Sequence, residues 1–414
     1  MTQTTLAPTI KDPTTAEQQL VDLYRSLPES EQRTELFEAF AKIGLPSRRL
    51  ERWKWTDFRR ALEGLQATDQ APKETLALPV DAIRLSFDGA KWTWPDGEID
   101  GLHIHSKSSP QPFGEADAHP LAALTAAMTG NDGPDTLVVE VSASHTQPIC
   151  IDVAPNAQSA AFARIAFVVR EDCSVDLIEA YGGSAPFSST LLEFGLQDRA
   201  KLTRTIFQCG TASQCVAITG FAHLSESAEF TQTALSFGAK LSRCETHVSY
   251  SGPNARAMID TAYLAASGFH SDTTTHVTHG AESCVTRQLT KGAVSDGGQG
   301  VFQGKFLVPR TVGQFTDANM QHQALLLENG AEVFAKPELE IYADDVECEH
   351  GNTSGQLDDS ALFYMRQRGI PLPEARALLT EAFIVEALDK AHPGVREQMI
   401  DATRRFLRAE KAVS

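Results

Sequence analysis

Cys348 and His350, near the end of the chain, carry its clearest chemical signal. They stand in the run Glu347-Cys348-Glu349-His350-Gly351. A thiolate is a soft ligand and a nucleophile, and a neutral imidazole can ligate iron beside it. On a strand, residues i and i+2 project from one face with Cα atoms roughly 7 Å apart. An extended backbone here therefore brings both groups to one surface and turns Glu349 the other way. Alone, one Cys-x-His is a weak signal, because cysteine is among the most buried residue types.

Other groups invite chemistry and give it less support. Asp344-Asp345 pairs carboxylates, but neighbours on a strand face opposite ways and do not converge as a glycosidase pair would. Asp358-Asp359 reads as a helix N-cap. His247, His270, His276, His279 and His322 fall in late strand-like text. The odd spacing of His276 and His279 sends them to opposite faces, and histidine on a polar β-surface reads as solvated. Trp53, Trp55 and Phe58 lie among arginines and read as packing for a short helix rather than a stacking platform. There is no GxxxxGK[ST] loop, no GxSxG elbow, no HExxH and no GxGxxG opening a helix. That argues against ATP hydrolysis and Rossmann-type dinucleotide binding by this chain.

The elements that must position Cys348 and His350 are mostly strands. Strand-like runs begin near Leu137, Pro148, Ala163, Ser174, Ser189, Lys201, Val216, Ala228, Leu241, Ala255, Phe269, Glu282 and Gly300. They follow one another every ~11 to 18 residues, with Gly, Ser, Asn and Asp at the joints. No helical pattern long enough for a crossover interrupts them, which argues against a doubly wound sheet. A sandwich or barrel closes at about seven to nine strands, so a longer run favours a solenoid. Strands such as Thr261-Ala262-Tyr263-Leu264 are polar on one face, and a narrow solenoid interior needs only one apolar face.

Helical text flanks this core. Thr14 or Thr15 caps a helix carrying Leu20, Val21, Leu23, Tyr24 and Leu27, and a second places Leu36, Phe37, Phe40 and Ile43 on one face before Gly44 and Pro46. Ser86 to Gly101 reads as a turn-rich strand pair. His119-Pro120 opens a short apolar helix through Met128, closed by Gly130. After Gly355 the period changes, with Asp358 or Asp359 as cap and Gly369 past the helix end. Two further stripes follow, one with Ala375, Leu378, Leu379, Ala382, Phe383 and Leu388, the other with Val395, Met399, Ala402 and Phe406. The expected division is a helical segment over 1–66, a mixed connection over 67–136, a β-core over 137–356 and a helical segment over 357–414.

The 414 residues carry 36 basic and 54 acidic side chains, a net charge of −18. That argues against nucleic acid or an anionic membrane as the main partner. No apolar run approaches the roughly 18 residues of a membrane span, and Met1 to Thr15 offers nothing fit for a signal peptide. Seven cysteines without a CxxC pair suggest a reducing compartment, most simply the cytoplasm.

The last third matches a known family. The matching text is Ser283-Cys284-Val285-Thr286-Arg287-Gln288-Leu289-Thr290-Lys291-Gly292, the Val301 to Val308 strand, Thr316-Asp317-Ala318, Lys336-Pro337-Glu338-Leu339-Glu340-Ile341 and Asp344-Asp345-Val346. It continues through Cys348-Glu349-His350-Gly351 and Leu362-Phe363-Tyr364-Met365-Arg366-Gln367-Arg368-Gly369-Ile370. Upstream, Gly44-Leu45-Pro46 with Glu51, Trp53, Trp55 and Thr56 is similar to the same family's N-terminal signature. The chain thus resembles the SufB/SufD family, scaffold subunits of the Suf iron–sulfur cluster assembly machinery. Its length and helical N-terminus favour the SufD type over the usually longer SufB type.

The resemblance implies a mainly β fold, a right-handed parallel β-helix between helical ends. It implies a non-catalytic scaffold that pairs with a SufB-type subunit through the β-core. A SufC-type ABC ATPase would dock on the C-terminal helices. The family's Cys-Ser-His-Gly signature maps to Cys348 and His350, implying that a nascent Fe–S cluster forms there at the interface. Here Glu349 replaces the serine, and Asn352-Thr353-Ser354 departs from the usual Ala-Thr-Val/Thr. A flavin in the complex and a homodimer of the lone chain are left open. The rival readings are a SufB-type main scaffold, a β-helix carbohydrate-active enzyme, and a metal enzyme built on the late histidines.

Overall fold

Period-two alternation makes the middle of the chain extended, and extended strands need partners along both edges. The computed structural model describes residues 9–66, 74–106, 119–129, 136–156, 159–328 and 330–409. It supplies those partners by winding. Upstream lie β1 (Ile83–Phe87), β2 (Trp92–Thr93) and β3 (Leu102–His105). The winding runs through β4 (Thr136–Val141), β5 (Ile149–Val153), β6 (Ala160–Val169), β7 (Ser174–Tyr181), β8 (Phe187–Leu196), β9 (Lys201–Cys209), β10 (Cys215–Leu224) and β11 (Glu229–Phe237). It goes on through β12 (Leu241–Tyr250), β13 (Arg256–Ala265), β14 (His270–Thr278), β15 (Val285–Val294), β16 (Gln299–Val308), β17 (Asp317–Leu326), β18 (Glu332–Ile341) and β19 (Glu347–Gly355).

From β4 onward each strand pairs in parallel with the strand two places on, so two sheets rise together, one of even and one of odd strands. Cys215 lies beside Leu241, for example, and Glu229 beside Arg256. This is a parallel β-helix of about eight coils. Every expected strand start lies within three residues of an observed one, the widest offsets being Ala163 against Ala160 and Glu282 against Val285. At the beginning of the stack, β1 joins the odd sheet beside β5, the β1–β2 hairpin edges it, and β3 runs antiparallel to β4.

One corner of the coil repeats with a regularity that the residue types conceal. Asp172, Arg199, Ser227, Asn254, Ser283, Phe315 and Asp345 all have positive φ, between 53° and 61°. Each sits between an even strand and the next odd one. The amide of each through Phe315 donates to a carbonyl one coil on, as Arg199 N does to Glu226 O at 2.9 Å and Phe315 N to Asp345 O at 3.0 Å. The corners therefore stack as a ladder of their own. Asp345, expected on a strand, belongs to this corner, so strand parity says nothing about the Asp344-Asp345 pair.

The interior changes character along the stack. In the early coils it is apolar, with Leu137, Val139, Ile149, Ile151, Ile165 and Phe167 fully buried. Further on it holds an ion pair in which Arg204 donates to both oxygens of Glu179 at 2.6 and 2.8 Å and to Gln232 at 2.7 Å. The inward position facing it is Gly220, where a Cβ would lie 3.0 Å from the guanidinium. Tyr263 likewise occupies the room left by Gly292 and Gly300. The polar face of β13, with Thr261 and Tyr263, is thus the inner one, and its outer Ala262 and Leu264 are buried as well. In contrast, β14 is polar on both faces, Thr273 and Thr275 inward and Asp272 and Thr274 outward.

Helices cover both outer faces. The capping box of α1 (Thr15–Arg25) is complete, Thr14 accepting from Glu17 N and Glu17 accepting from Thr14 N. With α2 (Glu31–Ile43), α3 (Phe58–Ala61) and α4 (Pro120–Thr129) it packs Leu20, Phe37, Phe40 and Leu124 against Phe162, Phe187 and Phe221 of the even sheet. Gly130, the expected end of α4, lies outside the described residues. At the other end come α5 (Asp359–Gln367), capped by Asp358, then α6 (Leu372–Val385) and α7 (Pro393–Ala409). Ile384, Val395, Met399 and Ala402 cover Phe207, Leu235 and Phe237 of the odd sheet. Among the described residues no helix is long and apolar enough to cross a membrane.

Candidate functional site

The last rung, β18 with β19, ends both sheets: no further described strand pairs with either. Register fixes what β19 presents. Cys348 lies beside Ala318, His350 beside Met320 and Asn352 beside His322. Ala318, Met320 and His322 are inward and buried, so Cys348, His350 and Asn352 project from the inner face at the end of the stack. Glu349 turns outward, where the Asn319 amide donates to it. Sequence parity alone gave this arrangement of Cys348 and His350.

The two groups differ in setting. Cys348 is half-buried against the last core side chains, and burial pushes its thiol up, an amide contact from Ala318 opposing it. A metal must therefore displace a proton to gain the thiolate. His350 is exposed and borders a small hollow of about 160 Å³ with His322 and Thr353.

Beneath them His322 is held rigidly. Its Nδ1–H donates to Asn352 Oδ1 at 2.7 Å, and the Tyr263 hydroxyl donates to Nε2 at 3.0 Å. The ring stacks on Phe302, centroids 4.6 Å apart. Burial lowers its pKa to about 4, so the ring is neutral near pH 7. His247 and His279 are buried too, and His270 is half-buried. The late histidines are therefore not the solvated groups that polar strands suggest. Both faces of these strands are covered, which residue type alone did not reveal.

A second polar cluster lies on the outer face of the even sheet, beneath the N-terminal segment. Trp53 packs under the Arg243 guanidinium at 3.9 Å, the Thr56 hydroxyl donates to Asp272, and Trp55 stacks on Phe334 at 5.9 Å. Arg243 donates to Glu245 at 2.7 Å and to Asp272 at 2.6 Å. His119 Nε2 and His247 Nε2 meet the two oxygens of Glu245 at 3.0 and 2.9 Å. Burial pushes the Glu245 carboxyl up, but Arg243 and the histidines outweigh it and hold it well below the usual carboxylate range.

At the C-terminal end, Phe363 and Tyr364 of α5 are 64% and 59% exposed, and Leu372 and Leu378 of α6 are also open to solvent. The stripe of α7 is not available in this way, since it is spent on the odd sheet.

Residues 152–383 match the family described as SUF system FeS cluster assembly, SufBD core domain. The iron–sulfur cluster assembly protein SufD of Escherichia coli is 28% identical over 399 residues, 90% of this chain and 91% of the relative. A SufBD family protein of Synechocystis is 32% identical over 243 residues, 55% of this chain and 52% of the relative. One from Mycobacterium tuberculosis is 25% identical over 382 residues, 89% of this chain and 91% of the relative.

Proposed function

Since the chain belongs to the SufBD family of iron–sulfur cluster assembly proteins and is a homologue of SufD, we propose that it is a scaffold subunit that offers the open end of its β-helix to a SufB-type partner. The observation that carries this reading is the last rung. Two sheet edges with no further described strand beside them and the inward side chains of Cys348 and His350, types able to hold iron, occur at the same place. An unsealed edge is a template for another chain's strands. Continuing the coils across such a joint would bury Cys348 and His350 between the subunits.

The nascent cluster is cargo. The His350 imidazole offers iron a nitrogen ligand, while thiolates come mainly from the partner. Cys348, its thiol raised by burial, loses its proton to solvent only as iron takes the sulfur, or serves as interface packing.

The ATPase partner docks on α5 and the first turns of α6, whose exposed Phe363, Tyr364, Leu372 and Leu378 support that role. Removing everything after Gly369 would also uncover the odd sheet, so surface variants test it better. Co-expressed with SufB-type and SufC-type chains, Phe363→Asp with Tyr364→Ala should lose the ATPase from the purified complex and keep the SufB-type chain. Retention of the ATPase would place its docking surface elsewhere.

A further inference from the structure

The His119–Glu245–His247 cluster has the composition of a metal site, its ligand atoms all lying within 4.8 Å of one another. The hydrogens say otherwise for one member. Ala122 N donates to His119 Nδ1 at 3.1 Å, so this imidazole caps the start of α4 and turns its Nε2–H to Glu245. A metal at that Nε2 would require an imidazolate. His119 is a cap and a hydrogen-bond donor.

His247 is placed differently. Its Nε2–H donates to Glu245 Oε1 at 2.9 Å, and a neutral ring so held keeps a bare lone pair on Nδ1. That atom has no hydrogen-bond partner, and the residue is only 6% exposed. A carboxylate that fixes one ring nitrogen and frees the other is the usual support of a metal-ligating histidine. His276 is its register neighbour on the next even strand, on the same outer face, ring centroids 5.5 Å apart. His276 Nε2 is also buried and without a partner. Both rings line a polar cavity of about 170 Å³ between the sheet and the Glu51–Arg52 segment. Of the cations that line it, Lys305 is matched by Glu340 at 2.6 Å and Lys336 by Glu51 and Glu338 at 3.0 Å each, while Arg52 adds a positive charge beside His276.

We infer that His247 Nδ1 and His276 Nε2 bind a divalent first-row transition metal ion in this cavity, with Glu245 as the group that orients His247. Imidazole nitrogen is a favoured donor for such ions, and a cavity carboxylate or water completes the shell. The site lies on the outer face of the sheet and depends on nothing proposed for Cys348 and His350.

Cobalt(II) is the probe, read by its visible d–d absorption and by titration calorimetry. The protein is the full chain carrying Cys348→Ser and His350→Ala, so that the open end contributes no signal. One Co²⁺ per chain is expected, with histidine-type bands. His276→Ala should weaken binding at least 10-fold, and His276→Gln, which keeps the volume and polarity, should do the same. Lys305→Gln should tighten binding by removing the adjacent positive charge. Failure of the double variant to bind Co²⁺, or an affinity in both His276 variants equal to that of their parent, overturns the site. Loss of binding only when Cys348 and His350 are replaced overturns it too, and then places the metal at the open end.

Discussion

The two ends of the β-helix differ in what covers them. At the beginning, β1 and its hairpin partner edge the odd sheet and β3 runs antiparallel beside β4, over an interior of Leu137, Val139, Val141 and Ile149 that is wholly buried. At the end no further described strand pairs with β18 or β19, and exposed Phe315, Ile341 and Tyr342 sit at the last corners. A solenoid needs a cap at each end to avoid pairing with itself. One end carries a cap and the other carries Cys348, His350 and apolar corners, the division expected if the first serves stability and the second the proposed partnership.

The sharpest way to break the contrast is in the interior. Arg204→Met strands the buried Glu179 carboxylate and should destabilise the isolated chain by about 3–5 kcal/mol, with Arg204→Met/Glu179→Leu recovering much of that. Urea unfolding of both variants checks this. Phe194→Ala, at an inward and fully buried position, should lose a similar ~3–5 kcal/mol.

At the open end the effects should move from folding to association. Tyr342→Ala, 61% exposed, should leave the unfolding midpoint within about 0.5 kcal/mol of the parent. It should weaken binding of the SufB-type chain by about 1–2 kcal/mol, measured by calorimetry. Equal losses in folding and binding would erase the distinction between the two ends.

A smaller effect lies in pH. Burial lowers His279 and His322 to about 4 in the folded chain, against an ordinary value near 6.5. Between those values the unfolded chain binds more protons, so stability falls as pH drops from about 6.5 to about 4 and is fully present above that window. His322→Gln should flatten the slope of stability against pH across this range, whatever it does to stability at pH 7. An unchanged slope would mean that His322 titrates normally in the folded chain.

Much of this is legible in the sequence alone. Period-two runs with Gly, Asn and Asp joints located the coils, and parity put Cys348 and His350 on one face. Which face was the inside was not legible, because helices bury the outer face as well, and Thr261, Tyr263 and Asp260 are all covered. The coil repeat was hidden for another reason. Its corner needs a positive φ, and residues as different as Arg199, Asn254 and Phe315 supply it, held by the amide ladder rather than by glycine. The partnering of His322 was invisible because Asn352 and Tyr263 lie on other coils, 30 and 59 residues away.

The central claim is that the open end is where iron and sulfur are held. Its most direct test is anaerobic reconstitution of the complex with the SufB-type and SufC-type chains, followed by visible absorption of the cluster. His350→Ala should assemble normally and lose most of the cluster signal, with Cys348→Ala losing the same or less. Full cluster yield in both variants, in complexes of normal composition, would contradict the account and leave Cys348 and His350 as ordinary packing at a subunit joint.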